Sequence, residues 1–182
     1  RIESDLIGAR EIPAEALYGV QTLRGIENFS ISKFRLSEYP LFIKGLAITK
    51  MAAAMANFEL GLLTVEQKDA IIAACGEIID GKHHDQFPVD MIQGGAGTTT
   101  NMNANEVIAN RALELMGHER GEYQYCSPND HVNCSQSTND AYPTAIHIGM
   151  YFKHLQLLPH LEELIASFRK KGEEFSRIIK MG

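Results

Sequence analysis

Gln124-Tyr125-Cys126-Ser127-Pro128-Asn129-Asp130-His131-Val132-Asn133-Cys134-Ser135-Gln136-Ser137-Thr138-Asn139-Asp140-Ala141-Tyr142-Pro143-Thr144 is the stretch on which the reading of this chain turns. From Ser127 to Thr144 it is mostly small hydroxyl, amide and acid side chains, and from Ala141 a long run with helical apolar spacing begins. Ser137, Thr138 and Asn139 stand where that helix should start. Pro143 falls in what would be its first turn, where a missing N–H does no harm. A helix start carries free N–H groups and the positive end of the helix dipole. Surrounded by hydroxyls and an amide, it suits a carboxylate or a phosphate. Ser-Thr-Asn also reads as a plain N-cap, but one cap residue is enough and the surplus points to a ligand.

Downstream, Ala141, Ala145, Ile148, Phe152 and Leu155 form one apolar stripe, continued by Leu161, Leu164, Ile165, Phe168, Phe175 and Ile178. The pattern predicts helix from Thr138 to the end of the chain, with a kink at Pro159. Such a helix would reach ~60 Å, more than the preceding residues can cover, and belongs in a bundle. The expectation is a fragment, with one domain over residues 1–136 and the start of a truncated central helical bundle over 137–182. Without a partner, the stripe from Ala141 to Ile178 should self-associate or lose its order.

Upstream lies a second donor-rich stretch, Gln93-Gly94-Gly95-Ala96-Gly97-Thr98-Thr99-Thr100-Asn101-Met102-Asn103. Its glycines let the backbone approach a ligand, and its threonines and asparagines open another helix, running to about Met116. A plain flexible turn is the competing reading. A nucleotide loop fails on context, since no Gly-Lys-Thr or Gly-Lys-Ser follows and no apolar strand leads in. Before it, Ile43, Leu46, Ala47, Met51, Ala54, Met55 and Phe58 predict a helix opened by Ser37 and Pro40 and ended by Gly61, with Ala52 to Ala54 suited to close packing. Thr64-Val65-Glu66-Gln67 has the form of a capping box for the next helix, which stops at Gly81. The two should make an antiparallel pair. Residues 1 to 30 are short apolar pieces, and Ile2, Leu6, Ile7 and Ile12 predict a small hairpin or extended arm.

Composition narrows the function classes. The chain has 182 residues, 45% hydrophobic and 22% charged, with a net charge of −6. That balance gives no reason to expect nucleic acid, and no basic run exceeds Arg169–Lys171. No uninterrupted apolar stretch approaches ~20 residues, so no membrane span is expected. Cys75, Cys126 and Cys134 lack metal spacing and read as reduced thiols of a cytoplasmic protein. His83-His84-Asp85 is a poor metal candidate, because adjacent residues on a turn rarely converge on one ion. No metal is expected.

Together the two donor-rich stretches would hold a small, oxygen-rich anion through neutral donors, and a dicarboxylate fits. Such donors matter most where a carboxylate gains charge, as when a proton alpha to it is removed. His131 is the nearest candidate base, although a histidine beside an Asn-Asp turn is more often a structural hydrogen bonder.

Gly94 to Glu106, and Pro128-Asn129-Asp130-His131-Val132-Asn133 followed by Gln136-Ser137-Thr138-Asn139-Asp140, resemble the aspartase/fumarase superfamily. Leu17-Tyr18-Gly19-Val20-Gln21-Thr22-Leu23-Arg24 and Glu27-Asn28-Phe29 match it too, and the resemblance covers essentially the whole chain. Within it the chain is more similar to the aspartate-specific ammonia-lyase branch. Thr138 stands where fumarases usually have a second Ser, and Ser127 where they have the first His of His-Pro-Asn-Asp-His. Gly94–Gly97 and Glu122-Tyr123-Gln124-Tyr125 also look aspartase-like.

The resemblance implies a mainly α fold: an N-terminal helical lyase domain with a short hairpin arm, plus the first long helix of a central bundle. It implies reversible anti-elimination of ammonia from L-aspartate to give fumarate, without cofactor. Carried over, Thr98, Ser137 and Thr138 would hold the β-carboxylate and stabilise its aci form. Asn139, with Thr98, would contact the amino group, and Thr99 lies alongside. The family's serine base, a nearby lysine and a Thr-His pair match nothing here, so no catalytic residue is assigned and this piece alone should be inactive. Homotetramers, with each site built from three subunits, are likewise implied. A fumarate hydratase of the same superfamily and a non-catalytic helical assembly module are the alternatives.

Overall fold

The structure, a computed structural model, describes residues 1–182. A two-stranded antiparallel hairpin, β1 (Ile2–Asp5) and β2 (Gly8–Glu11), opens the chain, with Ile2 opposite Glu11 and Asp5 opposite Gly8. The expected arm is present, but its apolar residues do not hold it. Ile2, Leu6 and Ile7 are exposed, and Ile12 alone of the four is buried. Charge pairs tie it down instead. Arg24 grips both oxygens of Asp5 at 2.7 and 2.8 Å, and Arg1 donates to the carbonyls of Ala16 and Tyr18 at 2.7 and 2.8 Å.

Helix α1 (Val20–Asn28) is absent from the sequence reading of residues 1–30. Its N-cap is Gly19, which has no capping side chain. The cap comes from a distant position: the Glu106 carboxylate accepts the N–H groups of Gly19, Gln21 and Thr22 at 2.9, 2.8 and 3.0 Å. No local signal could have marked that start.

After a 3-10 turn at Leu36–Glu38 come α2 (Pro40–Glu59) and α3 (Val65–Ile79), packed against each other. The capping box is formed, with Gln67 N–H on Thr64 Oγ1 at 3.2 Å and Thr64 N–H on Gln67 Oε1 at 3.1 Å. Helix α4 (Thr98–Leu115) lies against α3 and α1, and a π-helical turn at Pro128–Val132 leads to α5 (Thr138–Phe175). The mainly α architecture with a hairpin arm is the one the sequence predicts. Helix α2 is long and apolar enough, by length and composition, to cross a membrane. Here Ile43, Leu46, Ala47 and Ala54 bury it in the core shared by α3 and α4.

Helix α4 has no dry face and wet face. Every residue from Thr100 to Asn110 is buried, among them Asn101, Asn103, Asn105, Asn110 and Glu106. It is the central post of the fold, and its asparagine amides donate inward: Asn110 to the Leu17 carbonyl at 2.7 Å, and Asn103 to that of Gln86 at 3.0 Å.

Helices α2 and α5 touch backbone to backbone. A Cβ at Gly45 would overlap the Ala145 carbonyl oxygen, and one at Gly149 would lie 3.0 Å from that of Leu41. The close contact therefore rests on these glycines rather than on the Ala52–Ala54 run, of which Ala52 faces solvent. Ala141, Ala145 and Gly149 are buried, and every residue beyond Phe152 is exposed, Phe168 at 71%. The stripe continues bare along a helix of 38 residues. The helix passes through Pro159 and stops at Phe175, short of the chain end.

A surface network joins α3 to α4. Arg111 donates to both oxygens of Glu77 at 2.6 and 2.9 Å, and His83 lies 2.8 Å from the same carboxylate. The Arg111 guanidinium holds Glu77 at about 2, against an ordinary value of 4.5, and Arg24 likewise holds Asp5 at about 2. A depressed folded pKa gives stability that is full above the unfolded value and is lost as pH falls through the folded one. The urea midpoint should therefore be level above pH 4.5 and fall steadily toward pH 2. Glu77→Gln should flatten part of that fall, and an unchanged profile in the variant would refute the assignment.

Candidate anion site at two helix starts

The two donor-rich stretches meet in space. Helix α4 starts from Gly97, whose φ of 97° is costly for any side chain, and a Cβ there would run into the ring of Tyr142 on α5. Gln93 clamps the first turn, accepting the Thr100 N–H at 2.8 Å and donating to Thr100 Oγ1 at 2.7 Å. The loop is thus pinned at both ends, which a plain flexible turn would not be.

The three threonines part company. Thr98 is exposed and its hydroxyl donates to the Gly95 carbonyl at 2.6 Å. Thr99 turns its methyl to α1, filling the space where a Cβ on Gly25 would sit. Thr100 is buried in the Gln93 clamp. Of the three, Thr98 alone is exposed at the helix start.

On α5, Ser137 is the N-cap, its Oγ accepting the Asn139 N–H at 3.2 Å. Ser137 and Asn139 are exposed and Thr138 is half-buried. Asn101, in the first turn of α4, donates through Nδ2 to Thr138 Oγ1 at 3.1 Å. That bond joins the two helix starts and fixes the role of the hydroxyl. Thr138 Oγ1 is already an acceptor toward the interior, so its own proton is left for a group outside. A cavity of about 460 Å³ opens beside the junction, lined by Gln93, Gly97, Asn139, Tyr142, Pro143 and Ile146, among others. Asn139 reaches this cavity. Thr98, Thr99, Ser137 and Thr138 are not part of its lining.

Pro143 is the sixth residue of α5 and lies beyond the first turn. Its missing N–H would have served the Asn139 carbonyl, one turn back. That carbonyl is deprived of its usual helical donor, and both Asn139 and Pro143 line the cavity.

His131 is occupied within its turn. Its Nδ1 accepts the Ser127 N–H at 2.7 Å, and burial lowers its pKa despite the nearby Asp130. The ring is a neutral clamp on the π-helical turn, as the structural reading of this histidine expects. His83 and His84 point to separate partners, Glu77 and the Ile78 carbonyl, and no three His, Cys, Asp or Glu side chains converge anywhere. Asn101, Gln93 and Tyr142 are the residues missed from sequence. All three lie inside the quoted stretches, but only their partners reveal their part in the site.

The fold and its paired helix starts define a class, the helical lyases related to fumarase. The structure superposes on the fumarate lyase:delta crystallin of Brucella melitensis with a TM-score of 0.96 and 53% identity, covering all of this chain and 41% of that one. A class II fumarase from Schistosoma mansoni matches with a TM-score of 0.92 and 38% identity, over all of this chain and 38% of that one. The model of the lyase family matches residues 8–182, and the chain belongs to that family. Among curated relatives, the aspartate ammonia-lyase of Pseudomonas canavaninivorans is 59% identical over 182 residues, all of this chain and 38% of that protein. That of Helicobacter pylori strain J99 is 58% identical, with 39% covered, and that of Escherichia coli K12 56%, with 38% covered. The chain thus spans well under half the length of the relatives it matches.

Proposed function

We propose that the protein acts as an ammonia-lyase, taking L-aspartate to fumarate and ammonia by reversible anti-elimination. The observation that carries this reading is the Asn101–Thr138 bond, in which Thr138 Oγ1 accepts and so keeps its own proton to donate at the start of α5. With Ser137 and the Thr138 N–H, the one backbone donor of the first turn that Ser137 does not already take up, it makes a cluster of neutral donors for a substrate carboxylate. When the proton alpha to that carboxylate leaves, charge grows on its oxygens, and donors fixed in advance stabilise the aci form. Thr98, exposed at the neighbouring helix start, completes the carboxylate contacts by turning its hydroxyl away from the Gly95 carbonyl that it donates to in the absence of substrate. Asn139, which lines the cavity, takes the amino group, and Thr99, turned to α1, has the weakest case. No residue of this chain is assigned as the base.

The names of the relatives support deamination over hydration, since the ammonia-lyases are 56–59% identical and the fumarase 38%. Assembly into an oligomer, a tetramer as the family resemblance implies, is part of the proposal. The bare apolar stripe of α5 beyond Phe152 supports it, and with it the proposed division into a domain over 1–136 and a bundle segment from 137. Three free cysteines fit a reducing compartment, and the cytoplasm is the proposed location.

The deciding experiment is ammonia release from L-aspartate by the protein at its full natural length, run beside malate formation from fumarate. Ammonia release supports the reading. Malate without ammonia makes it a hydratase, and neither product overturns the enzymatic assignment.

A further inference from the structure

Beneath the start of α5 lies a polar network with one full charge in it. Lys50, on the inner face of α2, is wholly buried and has no carboxylate partner. Its ammonium donates to Asn133 Oδ1 at 2.9 Å and to Gln136 Oε1 at 3.0 Å. Asn133 Oδ1 is a crowded acceptor, taking Asn101 Nδ2 at 3.1 Å and Asn105 Nδ2 at 3.2 Å as well. The same Asn101 amide donates its other proton to Thr138 Oγ1. A continuous chain therefore runs from the ammonium through Asn133 and Asn101 to the hydroxyl at the head of α5. Asn133 also donates to the Gln136 carbonyl at 3.1 Å, which fixes the turn leading into Ser137.

Burying an ammonium among neutral amides is costly, and a core-filling role would be met by leucine or methionine. The charge does something those cannot. It holds the Asn133 carbonyl oxygen inward, which sets the Asn101 amide with its protons toward Asn133 and Thr138. It also leaves uncompensated positive charge under a site read as taking an anion.

We propose that Lys50 is a positioning residue for the anion site: acting through Asn133 and Asn101, its buried ammonium keeps the Thr138 proton aimed at the bound carboxylate. The inference rests on the reading of that site as a dicarboxylate site. Burial holds the Lys50 ammonium at about 7. The titratable group facing it is Cys75 of α3, itself pushed up to about 12 by burial, as is Cys126 beyond it. From α4, and from the turn after the π-helical segment, it meets neutral amides. Within the neutral range Lys50 is thus the group of this network that changes charge. Dicarboxylate affinity is full while it is protonated and declines as pH rises above about 7.

The test is fumarate binding by calorimetry between pH 6 and 9 on the protein at its full natural length, with Lys50→Met, Thr138→Val and the double variant. Lys50→Met should bind roughly tenfold more weakly at pH 6 and lose the decline toward high pH. In the Thr138→Val background the same change should cost little more, because the chain already ends without a hydroxyl. Equal and additive losses, or a Lys50→Met profile parallel to the wild type, would reduce Lys50 to a structural part and overturn the inference. Should Lys50→Met fail to fold, Asn101→Leu cuts the same chain one link nearer the site and must reproduce the loss. No fumarate binding by the wild type would overturn the dicarboxylate reading and this inference with it.

Discussion

Thr138→Val is expected to slow ammonia release from L-aspartate by ~10²–10³-fold, the usual loss on removing one donor aimed at a developing oxyanion. Valine matches threonine in shape, so the fold should be kept, and what disappears is one O–H. A hydroxyl has one proton, and since Thr138 Oγ1 accepts in its bond with Asn101 Nδ2 at 3.1 Å, that proton is not spent there and is the one lost in the variant. Asn101 is also left with an unpaired amide hydrogen in a buried position. The loss should fall mainly on kcat, since the carboxylate gains most of its charge in the transition state. Thr138→Ser should recover most of the rate. Steady-state kinetics of the three forms, each at full natural length, measure this, and a valine variant within a few-fold of wild type would remove Thr138 from the site.

The second large effect is on stability. Glu106→Leu should destabilise the fold by on the order of 4 kcal/mol, lowering Tm by roughly 10 °C for a chain of this size. A buried carboxylate can sometimes be replaced by an apolar side chain at little cost, but only when its partners go with it. Here they cannot. The groups bonded to Glu106 are backbone N–H groups of Gly19, Gln21 and Thr22, and a leucine would leave all three facing an apolar wall. Helix α1 would lose its cap, and Tyr123 and Glu3, which share this pocket through a 3.0 Å bond, would lose a neighbour. Glu106→Gln keeps one acceptor and should cost about half as much. Thermal melts followed by circular dichroism distinguish these outcomes. A leucine variant melting within a degree or two of wild type would show that α1 is capped by other means.

These two residues mark the limits of what the sequence discloses. Thr138 was legible because helix capping is local: Ser-Thr-Asn before an apolar run announces a helix start and its free donors. The same holds for the capping box at Thr64 and for the spacing that defines α2, α3 and α5. Glu106 was not legible, because the helix it caps begins 87 residues earlier in the chain. For α4 periodicity places the helix, ending it within a residue or so of its true stop, but not its burial on every side, since its asparagines look like surface residues until their partners are known. Pro143 shows the same limit on a smaller scale, where an error of one turn separates a harmless proline from one that frees a carbonyl beside the cavity.

Helix α5 is a rod with two ends that live under different rules. The first fifteen or so residues are clamped to α2 by backbone contact at Gly45 and Gly149, and the remainder stands in solvent. A bare helical segment in water is marginal and owes its order to whatever it lies against. In the proposed oligomer, the partner that covers the outer half grips the same rigid body that carries Ser137, Thr138 and Asn139 at its tip. Occupancy at one end and association at the other are joined by the stiffness of a single helix, and any dependence of one on the other must be reciprocal.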